Sequence, residues 1–249
     1  MPSVVIPAYN EGAGIERCLR SVLSQGVADL TVVVVANACR DDTAARARAV
    51  PVPAGATVLV LDIPEGGKTN ALNTGERALR EAGRDSFPRL FLDGDIELGP
   101  NALAPVFAAA AVPTPIVVSA EAEFETSGCS VPVKLFYAAE RFNPYHFESA
   151  PNGSGTYGVN AAGRARWGEF PAVIADDGFV ERQFAASERR TVRAAPRVYA
   201  LVRVPRTLAG LRGISARKRV GNDELDRIAP LRPAQRAAGG TFGAVVGGR

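Results

Sequence analysis

The chain has 249 residues, 47% hydrophobic and 22% charged, an ordinary globular composition with material for one large domain or two small ones. Three scattered cysteines (Cys18, Cys39, Cys129) do not make a disulfide framework, and the lone His146 excludes a site built from several histidines. The net charge of +3 hides a basic stretch: from Arg182 to Arg236 fourteen Arg or Lys stand against Glu188, Asp223, Glu224 and Asp226.

That stretch suits an anionic partner such as a diphosphate, an acidic glycan or a membrane headgroup face, or is simply a solvated surface. Nucleic acid is disfavoured, because no binding motif and no interleaved aromatics accompany the basic residues. The longest greasy region, residues 103–120, is cut by Pro105, Pro113 and Pro115 and cannot span a bilayer. With no leader before the first apolar run, the expected location is cytoplasmic.

Strand and helix signals alternate through the first hundred residues. Strands are expected at 3–8, 30–36, 57–61 and 90–92, and helices at 14–25, 41–50 and 68–82. The second strand is a nearly all-Val run, the kind buried on both faces. Beyond residue 102 the pattern loosens. Strands are expected at 116–124, 156–160 and 191–201, helices at 133–141, 176–186 and 207–220, a helical turn at 161–166 and a mobile Gly-rich tail at 239–249. The alternation predicts an α/β fold with a mostly parallel sheet covered by helices on both faces.

Ligands of such sheets bind beyond the carboxyl ends of the strands. Pro7-Ala8-Tyr9-Asn10-Glu11, Asn37 and Phe91-Leu92-Asp93-Gly94-Asp95 all follow strand ends. Strand alternation would turn Asp93 and Asp95 to one face, where Mg2+ or Mn2+ carrying a diphosphate would relieve their repulsion. A solvated turn is the plain alternative. Lys68, after Glu65-Gly66-Gly67, opens a helix whose amides favour an anion, or merely caps it.

These blocks resemble the family-2 glycosyltransferases of the GT-A fold. Pro7 to Glu11 is similar to the family's Pro-x-Tyr/Phe-Asn-Glu, and Gly67-Lys68-Thr69-Asn70-Ala71-Leu72-Asn73 to its Gly-Lys-x-x-Ala-Leu-Asn. Phe91 to Asp95 resembles its Asp-x-Asp strand end. Trp167-Gly168-Glu169-Phe170-Pro171, then Asp176-Asp177, resembles its Gly-Gly-Phe-Pro and Glu-Asp blocks. Each block is weak alone; their order and spacing over nearly the whole chain make the resemblance specific. Two departures matter. Asn37 stands where an acid usually meets the base, leaving the base undecided, and the late Gln-x-x-Arg-Trp of processive members is replaced by Arg217-Lys218-Arg219-Val220.

The resemblance implies a Rossmann-like GT-A sheet, with residues 1–100 binding the donor, 101–222 the acceptor and catalytic base, and 223–249 a partly flexible tail. It implies an inverting, metal-dependent enzyme moving a sugar from a nucleotide diphosphate sugar to a hydroxyl acceptor. Pro7, Ala8, Tyr9, Glu11, Asn37, Lys68, Asp93, Gly94 and Asp95 would bind the donor, with Asp95 on Mn2+ or Mg2+. Asp177 would be the base, its pKa raised by Asp176 on the acceptor side. A sugar-phosphate nucleotidyltransferase and a silent nucleotide-sugar-binding protein are the competing readings, and Asp176-Asp177 as a helix-capping pair is the structural one.

Phe136, Tyr137, Phe142, Tyr145 and Phe147 read as a core cluster before an acceptor platform. Gly153 and Gly155 would form a turn or admit a close backbone, and His146 would be structural. A lipid-linked acceptor would bring Arg203, Arg206, Arg212, Arg217, Lys218 and Arg219 to the inner face of a membrane.

Overall fold

A computed structural model describes residues 1–229. Its strands are β1 (Ser3–Ala8), β2 (Leu30–Asn37), β3 (Ala56–Ile63), β4 (Arg89–Leu92), β5 (Glu97–Leu98), β6 (Val117–Glu125), β7 (Thr156–Val159), β8 (Arg189–Val192) and β9 (Tyr199–Arg203). The α-helices are α1 (Ile15–Leu23), α2 (Thr43–Ala49), α3 (Lys68–Glu81), α4 (Leu103–Ala110), α5 (Val131–Glu140), α6 (Tyr145–Glu148), α7 (Ala161–Arg164), α8 (Asp176–Glu181) and α9 (Leu208–Ile228). The expected glycine-rich tail lies outside the described residues, as does the Phe147 side chain.

The strand order is β3-β2-β1-β4-β7-β6-β9-β5, with β8 also paired to β6. β1 runs parallel to β2 and β4, and β2 to β3, while β7 is antiparallel to β4 and β6. The β-branched runs of β1 and β2 are buried end to end. Val4, Ile6, Val32 and Val34 enter one apolar cluster, and their neighbours Val5, Val33 and Val35 enter another. Two-sided burial therefore follows from the period of the strand.

Helix α1 covers the first face with Ile15, Cys18, Leu19, Val22 and Leu23, an i, i+3, i+4, i+7, i+8 stripe. Helix α3 covers the second with Ala71, Leu72 and Leu79, beside Phe179 and Val180 of α8. Strand order reverses at β1, which has β2 on one side and β4 on the other. That reversal point opens a crevice beyond the carboxyl ends of both strands.

The four early strands stand where the sequence predicts them. The strand expected over 191–201 is two strands instead, which pair in turn with the first and second halves of β6. Pro196, which has no backbone N–H to give, lies in the break between them. The short β5 and helix α4 were not expected. Helix α9 runs on to Ile228, so residues 223–228 of the expected tail are helical.

The aromatic core cluster is corrected. Tyr137 packs its ring 4.9 Å from that of Phe124, but Phe136, Phe142 and Tyr145 are exposed.

Candidate active site

Loops after β1, β2 and β4, together with the start of α3, enclose a cavity of about 500 Å3. Of the nine donor-side residues expected, eight line it: Pro7, Tyr9, Glu11, Asn37, Lys68, Asp93, Gly94 and Asp95. Ala8 sits behind the wall, its carbonyl accepting a 2.8 Å bond from Asn37 Nδ2. Tyr9 and Ala38 also border an adjoining depression of about 550 Å3 that continues over Cys39, Arg40, Asp62, Ile63 and Pro64.

The paired carboxylates do not share a strand face. Strand β4 ends at Leu92, and Gly94-Asp95 form a turn that leaves Asp95 exposed. Asp93 is held by its own N–H, which donates to Gly155 O at 2.8 Å. Gly155 has φ +67, and a side chain there would press within 2.6 Å of Ile96 Cγ1. Only glycine suits that approach, which explains the Gly-rich loop before β7.

Lys68 is the hinge of the site. Its Nζ lies 2.6 Å from Asp93 Oδ1 and 2.8 Å from Asp176 Oδ1. Burial opposes the ammonium charge, yet Asp176, Asp93 and Asp177 outweigh it and hold the pKa above the ordinary lysine value. Gly67, with φ 122, makes the turn into α3, and its N–H donates to Asn37 Oδ1 at 3.1 Å. Both ends of the Asn37 amide thus tie β1, β2 and α3 together.

Negative charge accumulates here. Glu11 is pushed up to about 7 by burial first, then by Asp95, Asp93 and Asp41. Asp93 is also pushed up to about 7, by burial, with Asp176 and Asp95 adding to it and Lys68 opposing. Among the described residues no group of three acids, histidines or cysteines is close enough to enclose a metal ion. What the site offers is one or two hard carboxylate ligands on an open rim. This fits Mg2+ or Mn2+, which take few protein ligands and complete their shells with water and phosphate.

Asp176 and Asp177 open α8 and lie off the cavity wall, reached through Lys68. Asp176 is buried, and Tyr157 Oη donates to its Oδ2 at 3.2 Å. Ala175, the residue at the cap, has no side chain able to cap the helix, and Asp177 Oδ1 accepts the first-turn N–H of Gly178 at 2.8 Å. The Asp177 pKa is raised, as expected, but burial is the first cause and Asp176 the second, with Lys68, the Gly178 N–H and Lys218 opposing.

The sequence did not single out Arg217 as a site residue, yet it reaches the cavity wall from α9. Arg219 does not. The basic run near the end of the described chain was the signal available, and only the path of α9 selects the residue. Tyr157 and Asn73 were also missed. Asn73 grips Phe170 at both backbone atoms, donating to its oxygen at 3.0 Å and accepting from its nitrogen at 2.8 Å.

The model of glycosyl transferase family 2 matches residues 3–165. The chain belongs to that family. Its α/β class, mostly parallel sheet and enzyme class are those the sequence led us to expect. A protein of Mycobacterium tuberculosis, the uncharacterized protein MT1568, is 40% identical over 101 residues, 41% of this chain and 30% of that one. The match thus spans less than a third of that relative's length. Crystalline Staphylococcus aureus TarS with UDP has a TM-score of 0.54 at 20% identity, covering 94% of this chain and 67% of that one. Glucosyl-3-phosphoglycerate synthase of M. tuberculosis with Mg2+ and UDP has a TM-score of 0.55 at 20% identity, covering 94% and 81%. The same synthase has been crystallised with Mn2+ and UDP-glucose. No helix among the described residues is long and apolar enough to cross a membrane.

Proposed function

We propose that the protein transfers a sugar from a nucleoside diphosphate sugar to a hydroxyl acceptor, with inversion at the anomeric carbon. The observation that carries this is the Asp93–Lys68–Asp176 bridge, which joins the acidic end of the donor cavity to the Asp176–Asp177 corner. The two adjoining cavities give room to an extended ligand, with Tyr9 at their junction free to stack on a base. Asn37 keeps one N–H and one oxygen lone pair for a base edge beyond the bonds it already makes.

Lys68, Arg217 and the first turn of α3 suit a diphosphate. Asp95, with Asp93, would hold Mg2+ or Mn2+, and such an ion offsets the charge of a departing diphosphate. As the acceptor oxygen bonds to the anomeric carbon and the carbon–oxygen bond to the diphosphate breaks, the hydroxyl proton passes to Asp177. Its raised pKa suits that role. Tyr157 and Lys68 hold Asp176 oriented beside it.

The test is a thermal-shift panel of UDP-, GDP- and dTDP-sugars with and without Mn2+, coupled to release of nucleoside diphosphate. One diphosphate sugar should stabilise the protein in a metal-dependent way. Asp177→Asn should still bind it while losing about 10²–10⁴ in turnover. A shift only with nucleoside triphosphate plus sugar phosphate would make the protein a nucleotidyltransferase. Donor binding without turnover on any acceptor would make it a binding protein.

A further inference from the structure

Helix α5 packs inward through Val133, in an apolar cluster with Leu211 of α9, and through Tyr137. Its one acid, Glu140, also turns inward, onto His146 Nε2 at 2.8 Å. The opposite face is open. Val131, Leu135 and Ala138 follow one another at i, i+4 and i+7 and so share one side of the helix, and Phe142, in the turn just past its end, falls at i+11 in the same series. Val131, Leu135 and Phe142 are 69%, 66% and 82% exposed, and no described residue covers them.

Cations border this stripe. Lys134 and Arg141, seven residues apart, run along one flank, and both are exposed. The start of α9 lies beside α5: the Ser130 N–H donates to Arg206 O at 2.8 Å, and Leu211 packs in the cluster of Val133. Arg212 and Arg219, also seven apart, lie on one exposed side of α9. Large apolar side chains in a row, edged by cations and free of an outward acid on their own helix, are costly in water. They match a surface that is apolar within and anionic at its rim.

We propose that the α5 stripe, with the Arg and Lys residues of α5 and α9 around it, docks on an anionic lipid bilayer. Leu135 and Phe142 would enter the boundary between headgroups and acyl chains, while Lys134, Arg141, Arg206 and Arg212 meet lipid phosphates. The charge distribution selects this occupant. A second copy of the chain would oppose one basic rim to another, and a purely apolar protein groove would leave the cations unanswered. The inference stands apart from the sugar-transfer reading, since it concerns a surface and not turnover.

The test is flotation of the full-length protein with phosphatidylcholine vesicles, with and without about one third phosphatidylglycerol, at low and high salt. Binding should need the anionic lipid and weaken with salt. Leu135→Glu with Phe142→Glu should reduce it about tenfold or more even at low salt. Lys134→Glu with Arg141→Glu should lose mainly the salt-sensitive part. Circular dichroism and the emission of Trp167, remote from these positions in sequence, verify that each variant is folded. Absence of flotation at low salt, or flotation unchanged by the apolar pair of substitutions, would overturn the proposal. So would light scattering that shows a dimer made monomeric by the same pair, with no vesicle binding.

Discussion

Lys68 Nζ stands 2.8 Å from Oδ1 of Asp176, a residue 108 positions away whose side chain is almost wholly buried. The same ammonium is 2.6 Å from Asp93. One cation therefore holds the turn after β4 against the first turn of α8. Removing it by Lys68→Met leaves Asp176 as a buried charge without its counterion, which should cost about 3 kcal/mol in urea unfolding. The double variant Lys68→Met/Asp176→Asn should recover most of that loss, because the stranded charge is gone too. A double variant no more stable than the single one would show that the two residues do not answer each other.

Arg217 is exposed on α9 yet lines the cavity beyond the ends of β1, β2 and β4. Its contribution should be to ligand and not to fold. Arg217→Ala should leave the urea midpoint unchanged while weakening a nucleoside diphosphate by about 1.5–3 kcal/mol, the range for a hydrogen bond to a charged group. Affinity for the bare nucleoside should stay the same. Calorimetric titration of both ligands decides this, and equal losses for the two would remove Arg217 from the diphosphate.

How far the sequence foretold this arrangement depends on distance along the chain. The β1 and β2 runs are so rich in Val and Ile that only two-sided burial suits them, and the residues behind β1, β2 and β4 then had to meet at the switch point. That brought together seven of the eight expected residues that line the cavity, while Lys68 stood out by its place at the start of α3 and by the family resemblance, which supplied the roles of all eight. The Lys68–Asp176 pair was not legible, because nothing local to Lys68 distinguishes a lysine that caps an anion site from one clasped by distant acids. Arg217 arrives by the course of a 21-residue helix, and periodicity says nothing about where such a helix crosses. The division of β8 from β9 turned on Pro196, whose missing donor was visible but was read through. The aromatic cluster misled in the other direction: such a group signals burial, and here Phe136, Phe142 and Tyr145 face solvent.

Glu11 gives the site a pH dependence whose sign can be stated. Burial and the neighbouring acids raise its pKa to about 7 from an ordinary 4.5, so the folded state binds the proton more tightly than the unfolded one. Between those values the unfolded chain carries fewer protons, and stability falls as pH rises. The contribution is complete below about pH 4.5 and lost as pH passes about 7. Melting temperature in chelator should accordingly decline from pH 5 to pH 8. Glu11→Gln should flatten that decline, and Mg2+ should stabilise the wild type more at the upper end. A slope unaltered by Glu11→Gln would dismiss the explanation.

Behind the site, Glu76 is a buried carboxylate shared by two arginines, 2.6 Å from Arg89 and 2.5 Å from Arg164. Arg89 and Glu76 are both essentially sealed from solvent, and Arg89 has a second acid, Asp85, at 2.6 Å. Arg164 has its guanidinium carbon 4.6 Å from the ring centre of Trp167 and donates to the carbonyls of Trp167 and Gly168 at 2.7 and 2.9 Å. The cluster thus anchors the segment leading to Phe170, which Asn73 grips from α3. Glu76→Gln strips the charge that both guanidiniums answer and should cost about 3–5 kcal/mol, the expense of a broken buried pair. Since Trp167 is the one tryptophan of the chain, its emission reports this place directly. It should shift to the red in the native variant, before any global unfolding, as Arg164 releases the loop. An unfolding free energy within about 1 kcal/mol of wild type together with an unmoved emission maximum would mean that Arg164 and Arg89 are held by their other partners, and that Glu76 only fills space.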